Sequence, residues 1–262
     1  MYDFEFVKPA TLADAARAMA QAGAQALSGG QTLLPTMKQR LAQPAVLVSL
    51  TAVPEMQGVC MGDGGLHVGA ATTHATVARD GAKLYGALAK LAGGIGDPAV
   101  RNRGTIGGSL ANNDPAACYP SAALASGATI VTNQRKIAAD DFFQGLFSTA
   151  LKDGEIITSV IFPVPERAAY VKFNQPASRF ALTGVFVAKY AGGVRVAITG
   201  ASQEGVFRWA EAEAALSRSF TADAIKGLTA DGSNLINDLH GTAAYRANLV
   251  KVLTGRAVTA AG

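Results

Sequence analysis

The spacing of apolar residues over the first fifty positions predicts alternating strands and helices. Thr11, followed by Asp14 three residues later, resembles a capping box and marks the start of an alanine-rich helix. The predicted strands cover residues 3–7, 26–27 and 46–50, and the predicted helices cover residues 12–22 and 33–41. Since strands and helices alternate along the chain, this part predicts a small parallel sheet.

Beyond residue 55 the pattern changes from alternation to hairpins. Glycines at 62, 64 and 65 separate two apolar runs, Asn133-Gln134 separates two more, and Gly192-Gly193 separates a third pair. Further helices are predicted over residues 73–79, 84–92, 121–126, 210–218, 221–228 and 242–253, and further strands over 155–162 and 170–173. Residues 93–115 are rich in glycine, asparagine and proline, and we expect a long loop there.

A proline-containing segment at residues 163–167 predicts a linker between two domains. The expected organisation is an N-terminal domain over residues 1–165, with subdomains of about 1–55 and 56–165, and a C-terminal domain over residues 166–262. A length of 262 residues agrees with two domains.

Composition narrows the class of protein. Hydrophobic residues make up 49% of the chain and charged residues only 16%, which favours a protein that buries part of its surface against partners. No apolar run approaches the ~20 residues that a membrane span requires, and no secretory signal is visible, so we expect a cytoplasmic protein. The net charge of +4 arises after residue 165 without any basic run, which argues against nucleic-acid binding.

The residues that usually hold metals or act as nucleophiles are sparse. The chain has two cysteines and three histidines, and the histidines lie far apart in the sequence. This excludes a four-thiolate zinc site or an iron–sulfur cluster on this chain, and no metal ligand or catalytic residue is assigned. No strand is followed by G-x-G-x-x-G, so a Rossmann dinucleotide site has no support.

Two glycine pairs are the strongest candidates for binding chemistry. Residues 28–32 (S-G-G-Q-T) lie between a predicted strand and a predicted helix, and the positive, N-terminal end of the helix dipole points at them. Residues 105–109 (T-I-G-G-S) lie in the long loop. Glycine lets a ligand approach the backbone, and each pair could direct several N–H groups at an anion. Each pair alone is also typical of a tight turn, but together they favour a dinucleotide held between two subdomains. We expect a Cβ atom at Gly30 or Gly107 to block this approach.

Two arginines precede the second glycine pair. Arg101 and Arg103 could contact a phosphate. They could equally be surface charges or pair with Asp97 or Asp114.

Two longer segments carry a family resemblance. Residues 27–35 (L-S-G-G-Q-T-L-L-P) and 96–111 (G-D-P-A-V-R-N-R-G-T-I-G-G-S-L-A) resemble the FAD-binding medium subunit of the xanthine dehydrogenase and carbon monoxide dehydrogenase family, the molybdenum hydroxylases. Shorter matches lie at residues 141–143 (D-F-F), 155–157 (E-I-I) and 170–173 (Y-V-K-F). The likeness spans nearly the whole chain, and the R-N-R-G-T-I-G-G-S string is its most specific part.

The resemblance implies an α+β fold. The N-terminal part would be a two-subdomain FAD-binding domain of the vanillyl-alcohol-oxidase (PCMH) type. The C-terminal part would be a small α+β domain with a three-stranded antiparallel sheet and helices.

The resemblance also implies a cofactor and partners. The chain would carry FAD in an oxidoreductase complex, beside a large subunit with the molybdenum cofactor and a small subunit with two [2Fe–2S] clusters, assembled as a dimer of heterotrimers. Electrons would pass from the clusters through FAD to an external acceptor. Because neither glycine loop contains a cysteine or histidine, the FAD is expected to be non-covalent.

Family FAD contacts map onto individual residues of this chain. The implied contacts are Ala26, Leu27, Ser28, Gly29, Gly30, Gln31, Thr32, Leu33, Ile95, Thr105, Ile106, Gly107, Gly108, Ser109, Cys118, Ile157 and Lys172. Cys118 stands where many relatives carry aspartate, so one polar contact would be lost or replaced there. Lys172 would neutralise negative charge on the flavin or phosphate, whereas its ordinary interpretation is a solvated lysine on an edge strand.

Two other functions remain open from the sequence. A self-sufficient flavoenzyme of the same fold would need its own general acid or base near the flavin, and no residue obviously supplies one. A structural subunit without flavin would not require the two glycine loops. The substrate and the electron acceptor (quinone, oxygen or NAD) are not indicated.

Overall fold

In the computed structural model, which describes residues 1–262, twelve strands form three separate sheets, and ten α-helices accompany them. The strands are β1 (Glu5–Val7), β2 (Ala24–Leu27), β3 (Val46–Ser49), β4 (Val59–Gly62), β5 (Gly65–Gly69), β6 (Thr129–Thr132), β7 (Lys136–Ala138), β8 (Ile157–Phe162), β9 (Arg167–Asn174), β10 (Ala181–Tyr190), β11 (Gly193–Thr199) and β12 (Phe207–Arg208). The helices are α1 (Leu12–Met19), α2 (Leu33–Lys38), α3 (His74–Asp80), α4 (Gly86–Gly93), α5 (Pro98–Arg101), α6 (Ile106–Asn112), α7 (Tyr119–Ser126), α8 (Ala139–Phe142), α9 (Ala210–Arg218) and α10 (Ala243–Ala260). None of these helices combines the length and the apolar character needed to cross a membrane.

The first sheet is the small parallel sheet that the sequence predicts. Its strand order is β1-β3-β2, and both neighbours run parallel to β3, which is buried along its whole length. Helix α1 packs on this sheet through Ala15 and Ala18, and its N-cap Thr11 accepts a hydrogen bond from the N–H of Asp14 at 3.1 Å. The loop that follows β2 therefore leaves the carboxyl end of a parallel strand, where α/β proteins commonly bind ligands.

The second sheet is antiparallel, with the order β4-β5-β8-β6-β7. The predicted hairpins β4–β5 and β6–β7 are both confirmed. Its inner face is apolar, since Leu66, Val68, Ile130, Val160 and Phe162 are all fully buried.

The prediction of a long loop over residues 93–115 is wrong, because this stretch contains helices α5 and α6. Asp97 caps α5 by accepting from the N–H of Val100 at 2.9 Å, and Thr105 caps α6 by accepting from the N–H of Gly108 at 3.3 Å. An N-cap hydrogen bond stabilises a helix by about 1 kcal/mol, which is comparable to the cost of one glycine in a helix.

The third sheet, β12-β11-β10-β9, has four antiparallel strands rather than the expected three. The additional strand β12 has only two residues, pairing with Ala197 and Ile198, and such a short strand gives no sequence pattern. The helix expected over residues 221–228 is also shorter and is a 3-10 helix, Ala222–Ile225. Helices α9 and α10 pack on one face of this sheet, and α4 and α7 pack on the other.

The third sheet holds a segment that leads into α7. The hydroxyl oxygen of Thr199 lies 2.9 Å from the carbonyl oxygen of Pro115 and 2.7 Å from that of Ala117. The N–H of Gly200 donates to the same Pro115 carbonyl at 2.7 Å. The end of β11 therefore fixes the position of residues 115–117.

Candidate functional site

A cavity of about 990 Å³ lies where the three sheets approach one another. Its wall includes the loop after β2, the first turn of α6, residues 95–97, residues 151–157 and residues 177–180. This volume is at the upper end of the range for small-molecule and cofactor sites.

All but one of the predicted site residues line this cavity. They are Ala26, Leu27, Ser28, Gly29, Gly30, Gln31, Thr32, Leu33, Ile95, Thr105, Gly107, Gly108, Ser109, Cys118, Ile157 and Lys172. The exception is Ile106, which is fully buried in the apolar core and whose N–H donates to the carbonyl of Thr72 at 3.2 Å. A first helical residue that points into the core has neither its side chain nor its N–H free for a ligand.

The loop after β2 presents six consecutive unpaired backbone donors. None of the N–H groups from residue 28 to residue 33 donates a hydrogen bond within the chain, and Leu34 is the first whose N–H is paired, with Gly30. Gly30 has a φ of +69°, a conformation that glycine adopts without strain. Four of these six residues are buried or half-buried, while Gln31 and Thr32 are exposed. The loop therefore offers a group of donors that an anionic ligand with several acceptor atoms would pair.

The second glycine pair is different, because its N–H groups are already used. The N–H of Gly107 donates to the carbonyl of Ala70 at 2.9 Å, and that of Gly108 donates to the hydroxyl of Thr105 at 3.3 Å. The expectation that both loops direct free N–H groups at a ligand is therefore wrong for the second one, because it forms the first turn of α6.

The two loops touch each other. A Cβ atom on Gly29 would collide with the backbone of Arg103 and Gly104. The two segments of the chain therefore pass each other at a distance that only glycine allows at position 29. The hydroxyl of Thr105 donates to that of Ser28 at 2.8 Å. The second loop therefore supports the first from behind.

The expected effect of side chains at Gly30 and Gly107 is also corrected. A Cβ atom on Gly30 would lie 2.8 Å from Leu34, and one on Gly107 would lie 2.6 Å from the Cβ of Ala70. Both would strike the protein rather than a ligand. A Cβ atom on Gly108 would meet only the hydroxyl of Thr105, at 3.1 Å, and this exposed glycine lines the cavity.

The arginines before the second loop lie outside the cavity wall. The guanidinium of Arg101 donates to the carbonyls of Ile95 and Gly96, at 3.0 Å each. Arg101 therefore shapes the turn that brings Ile95 to the cavity, rather than contacting a ligand there.

Lys172 lies on edge strand β9 and reaches across the cavity wall. Its ammonium group donates to the carbonyls of Gly94 at 2.8 Å and Arg179 at 2.9 Å, and lies 3.7 Å from the sulfur of Cys118. The hydroxyl of Tyr170 is buried nearby without a partner, and burial raises its pKa well above the usual range, so it stays neutral. A positive charge is thus held at a fixed place in the wall.

The match at residues 155–157 assigns a contact only to Ile157, and the structure adds Glu155 to the cavity wall. Its buried carboxylate accepts from Arg135 at 3.0 and 3.1 Å, from the hydroxyl of Thr132 at 2.7 Å and from the N–H of Lys152 at 2.9 Å. These contacts, the Arg135 hydrogen bond above all, lower the pKa of Glu155 to about 2. Because its oxygens are already paired, Glu155 positions the wall rather than binding a ligand.

His74 is a second cavity residue that the sequence did not single out. It is 5% exposed, lines the cavity, and has a ring nitrogen, Nδ1, that is buried without a hydrogen-bond partner. Burial, and to a lesser degree the charge of Arg101, lower the pKa of His74 to about 4. The imidazole is therefore neutral at neutral pH.

The charged side chains around the cavity are of both signs. They are Lys152, Lys172, Arg179, Asp97, Asp114, Asp153 and Glu155. Binding of an anion in this cavity would depend mainly on hydrogen bonds from backbone N–H groups rather than on an excess of positively charged side chains. No group of three or more histidine, cysteine, aspartate or glutamate side chains is arranged to hold a metal ion.

Comparison with known proteins agrees with this geometry. Residues 2–165 match the model of the family described as FAD binding domain in molybdopterin dehydrogenase. The chain is 34% identical to the nicotine 6-hydroxylase medium subunit of Paenarthrobacter nicotinovorans, over 98% of this chain and 96% of that one. It is 30% identical to the carbon monoxide dehydrogenase medium chain of Hydrogenophaga pseudoflava, over 98% and 96%.

Solved structures show the same similarity. Carbon monoxide dehydrogenase from Hydrogenophaga pseudoflava matches with a TM-score of 0.86 and 31% identity, over 99% of this chain and 97% of that chain. Quinoline 2-oxidoreductase from Pseudomonas putida 86 matches with a TM-score of 0.87 and 29% identity, over the same shares. We assign the chain from the family match, the sequence identities and the shared fold. It belongs to the family of FAD-binding domains of molybdopterin dehydrogenases and is a medium subunit of an oxidoreductase.

Proposed function

We propose that this chain is the FAD-carrying electron-transfer subunit of a three-subunit molybdenum hydroxylase. The observation that carries the proposal is the run of six unpaired N–H groups from residue 28 to residue 33, at the wall of a cavity of about 990 Å³. FAD bound there would receive electrons from the iron–sulfur clusters of a partner and deliver them to an external acceptor.

The residues of the cavity fit the parts of FAD. The diphosphate would accept hydrogen bonds from the loop of residues 28–33, with Gly108 and Ser109 beside it. Ile95 and Ile157 would give the flavin apolar contacts, and Lys172 would place a positive charge near it. Cys118 would contribute a thiol to the wall beside Lys172.

The partners follow from what this chain lacks and from the names of its relatives. Two cysteines cannot ligate a [2Fe–2S] cluster, and relatives of nearly the same length are medium subunits or medium chains. A large subunit with the molybdenum cofactor and a small subunit with two [2Fe–2S] clusters would complete the enzyme. We propose a dimer of such heterotrimers.

FAD is expected to be held without a covalent bond. No cysteine or histidine lies in either loop, and the thiol of Cys118 is already in contact with Lys172. Acid precipitation of the assembled enzyme should therefore release all of the yellow colour into the supernatant. Flavin that stays on the precipitated chain would contradict this prediction.

Substrate-dependent reduction of the flavin is expected only when the partners are present. The hydroxylating metal would lie on another chain, so this chain alone has no route for electrons from the substrate. Anaerobic mixing with the substrate of the enzyme, followed by flavin absorbance, should show bleaching for the assembled complex and none for this chain.

Dithionite is the matched control for that experiment, because it reduces flavin directly and should bleach both preparations. Bleaching of the chain alone by substrate, with contaminating partners excluded, would instead favour a self-sufficient flavoenzyme. A preparation of the whole complex that holds no FAD would favour a structural subunit.

A further inference from the structure

Phe147, in the loop between α8 and β8, has an unusual backbone conformation for a large side chain. It is the only aromatic residue of the chain with a positive φ, +52°, in a region that bulky side chains rarely adopt. Such strain destabilises a fold, persists only where the surrounding structure enforces it, and is concentrated at binding sites. The conformation of Phe147 therefore requires an explanation.

Hydrogen bonds enforce this conformation of Phe147. The side-chain amide of Asn113, the residue after α6, donates to the carbonyls of Gly145 and Ser148 at 2.8 Å each. Within the loop, the N–H of Gln144 donates to the carbonyl of Ser148 at 3.0 Å, and the N–H of Ser148 donates to that of Gly145 at 3.1 Å. Because Asn113 is buried, the loop is fixed from the interior of the protein.

This loop presents an aromatic side chain at the cavity. Phe147 lines the cavity and is 58% exposed, so much of its side chain is left in water rather than packed in the core. The neighbouring Leu146 is exposed to a similar degree, 55%, but does not line the cavity. A ligand with an apolar face that covered Phe147 would gain the free energy of burying this surface.

The order of residues along the cavity wall indicates which part of a dinucleotide reaches Phe147. The first turn of α6 contains Gly108, beside the proposed diphosphate site, and Asn113 follows the last residue of this helix. Since each helical residue adds about 1.5 Å, Asn113 lies roughly 7.5 Å beyond Gly108. The chain then lines the cavity as far as Cys118, whose thiol contacts Lys172 where the flavin is proposed. Phe147 is therefore on the flavin side of the diphosphate site.

We propose that Phe147 is a further FAD-binding residue, whose ring packs against the flavin ring system at the edge of the cavity. This inference rests on the proposed function. Aromatic side chains stack on flat conjugated rings through dispersion and the burial of apolar surface, and no hydrogen bond is needed. Flavin binding covers the exposed phenyl group, and the free energy gained offsets the backbone strain of the loop.

The test measures the affinities of FAD, riboflavin and ADP for the assembled enzyme after flavin removal. Loss of one stacked ring corresponds to about 10- to 100-fold in affinity, so Phe147→Ala should weaken FAD and riboflavin by that factor. ADP contains no flavin and should bind the variant as it binds the original enzyme. Phe147→Tyr keeps an aromatic ring and should stay within about threefold of the original affinity for FAD.

Two further variants separate stacking from a structural role. Leu146→Ala removes a similarly exposed side chain outside the cavity wall and should leave all three affinities unchanged. Phe147→Gly removes the strained side chain, so the Tm of the flavin-free chain should be unchanged or higher, while the FAD affinity falls as in Phe147→Ala. A residue that only supports the fold would instead lower the Tm when it is removed.

Four results would overturn the inference while FAD still binds the original enzyme. They are unchanged FAD affinity in Phe147→Ala, equal weakening of riboflavin and ADP, a Phe147→Tyr variant as weak as Phe147→Ala, and a lower Tm in Phe147→Gly. Weaker assembly with the partner subunits at unchanged flavin affinity would assign Phe147 to an interface instead.

A second variant covers the case in which Phe147→Ala does not fold. Phe147→Leu keeps an apolar side chain without a ring, and equal riboflavin affinities of Phe147→Leu and Phe147→Tyr would contradict stacking. If the original enzyme itself binds no FAD, the proposed function fails instead.

Discussion

The Gly108→Val variant is expected to lose FAD binding by at least about 100-fold while remaining folded, because its side chain would enter the cavity where the cofactor approaches the backbone. A Cβ atom at this position meets only the hydroxyl of Thr105, and the residue is helical and exposed. The measurement is flavin content per assembled enzyme, together with far-UV circular dichroism and Tm of the variant chain.

Two further glycine substitutions, one beside Gly108 and one outside the cavity, make this result specific. Gly107→Val places its Cβ 2.6 Å from the Cβ of Ala70 and should lower the free energy of unfolding by about 3 kcal/mol or more. We therefore expect this variant to lose folded structure, whereas Gly108→Val should lose only FAD binding. Gly86→Val has open space around its Cβ and lies outside the cavity wall, so it should change neither property. Full flavin content in Gly108→Val would remove Gly108 from the proposed site.

The second large effect is expected at Glu155. Replacing this buried carboxylate in Glu155→Gln should lower the free energy of unfolding by about 3 kcal/mol at neutral pH, because the shift of its pKa from 4.5 to about 2 measures how strongly the fold favours the charged form. Urea denaturation of the flavin-free chain at neutral pH measures the difference.

The same shift predicts a dependence on pH with a definite sign. The folded-state pKa of Glu155 lies below the unfolded value, so its contribution is fully present above pH 4.5 and is lost as the pH falls towards 2. The stability difference between the original chain and Glu155→Gln should therefore shrink over this range. A difference that stays constant would mean that the carboxylate is not preferentially stabilised in its charged form.

An exposed ion pair provides the matched control. Asp223 and Lys226 lie 2.7 Å apart with side chains 77% and 75% exposed, so Asp223→Asn should change stability by less than about 1 kcal/mol. A similar loss in both variants would indicate a general effect of removing negative charge from a chain with net charge +4.

Local sequence patterns were sufficient for much of the fold. The β-α-β-α-β start, the hairpins around residues 62–65, 133–134 and 192–193, and the Thr11 cap are all present in the structure. Each of these depends on residues within a few positions of one another. Strand β12, which has only two residues, forms instead by pairing with β11, so local sequence does not predict it.

In the candidate site, too, the features that depend on neighbouring residues are predictable from the sequence, and those that depend on distant partners are not. The loop of residues 28–33 was recognisable because glycine, serine and threonine between a strand and a helix indicate exposed donors. The packing of Gly107 on Ala70, and the use of its N–H by the same residue, depend on a partner 37 positions away in the chain. Glu155 and His74 were missed for this reason too: their partners, Arg135 and Gly104, become neighbours only when the sheets assemble.

Residues 115–117 are held by the hydroxyl of Thr199 and the N–H of Gly200. These contacts limit how parts of such enzymes can be exchanged between relatives. The cavity wall before Cys118 is fixed from the end of β11, and Lys172 closes the wall from β9, so a cut near residue 165 passes through the site. Exchanging C-terminal halves between relatives would therefore change how the cofactor is held even if both glycine loops were retained. Sequence change in one half is constrained by the other, and we expect the two to be inherited as one unit rather than recombined.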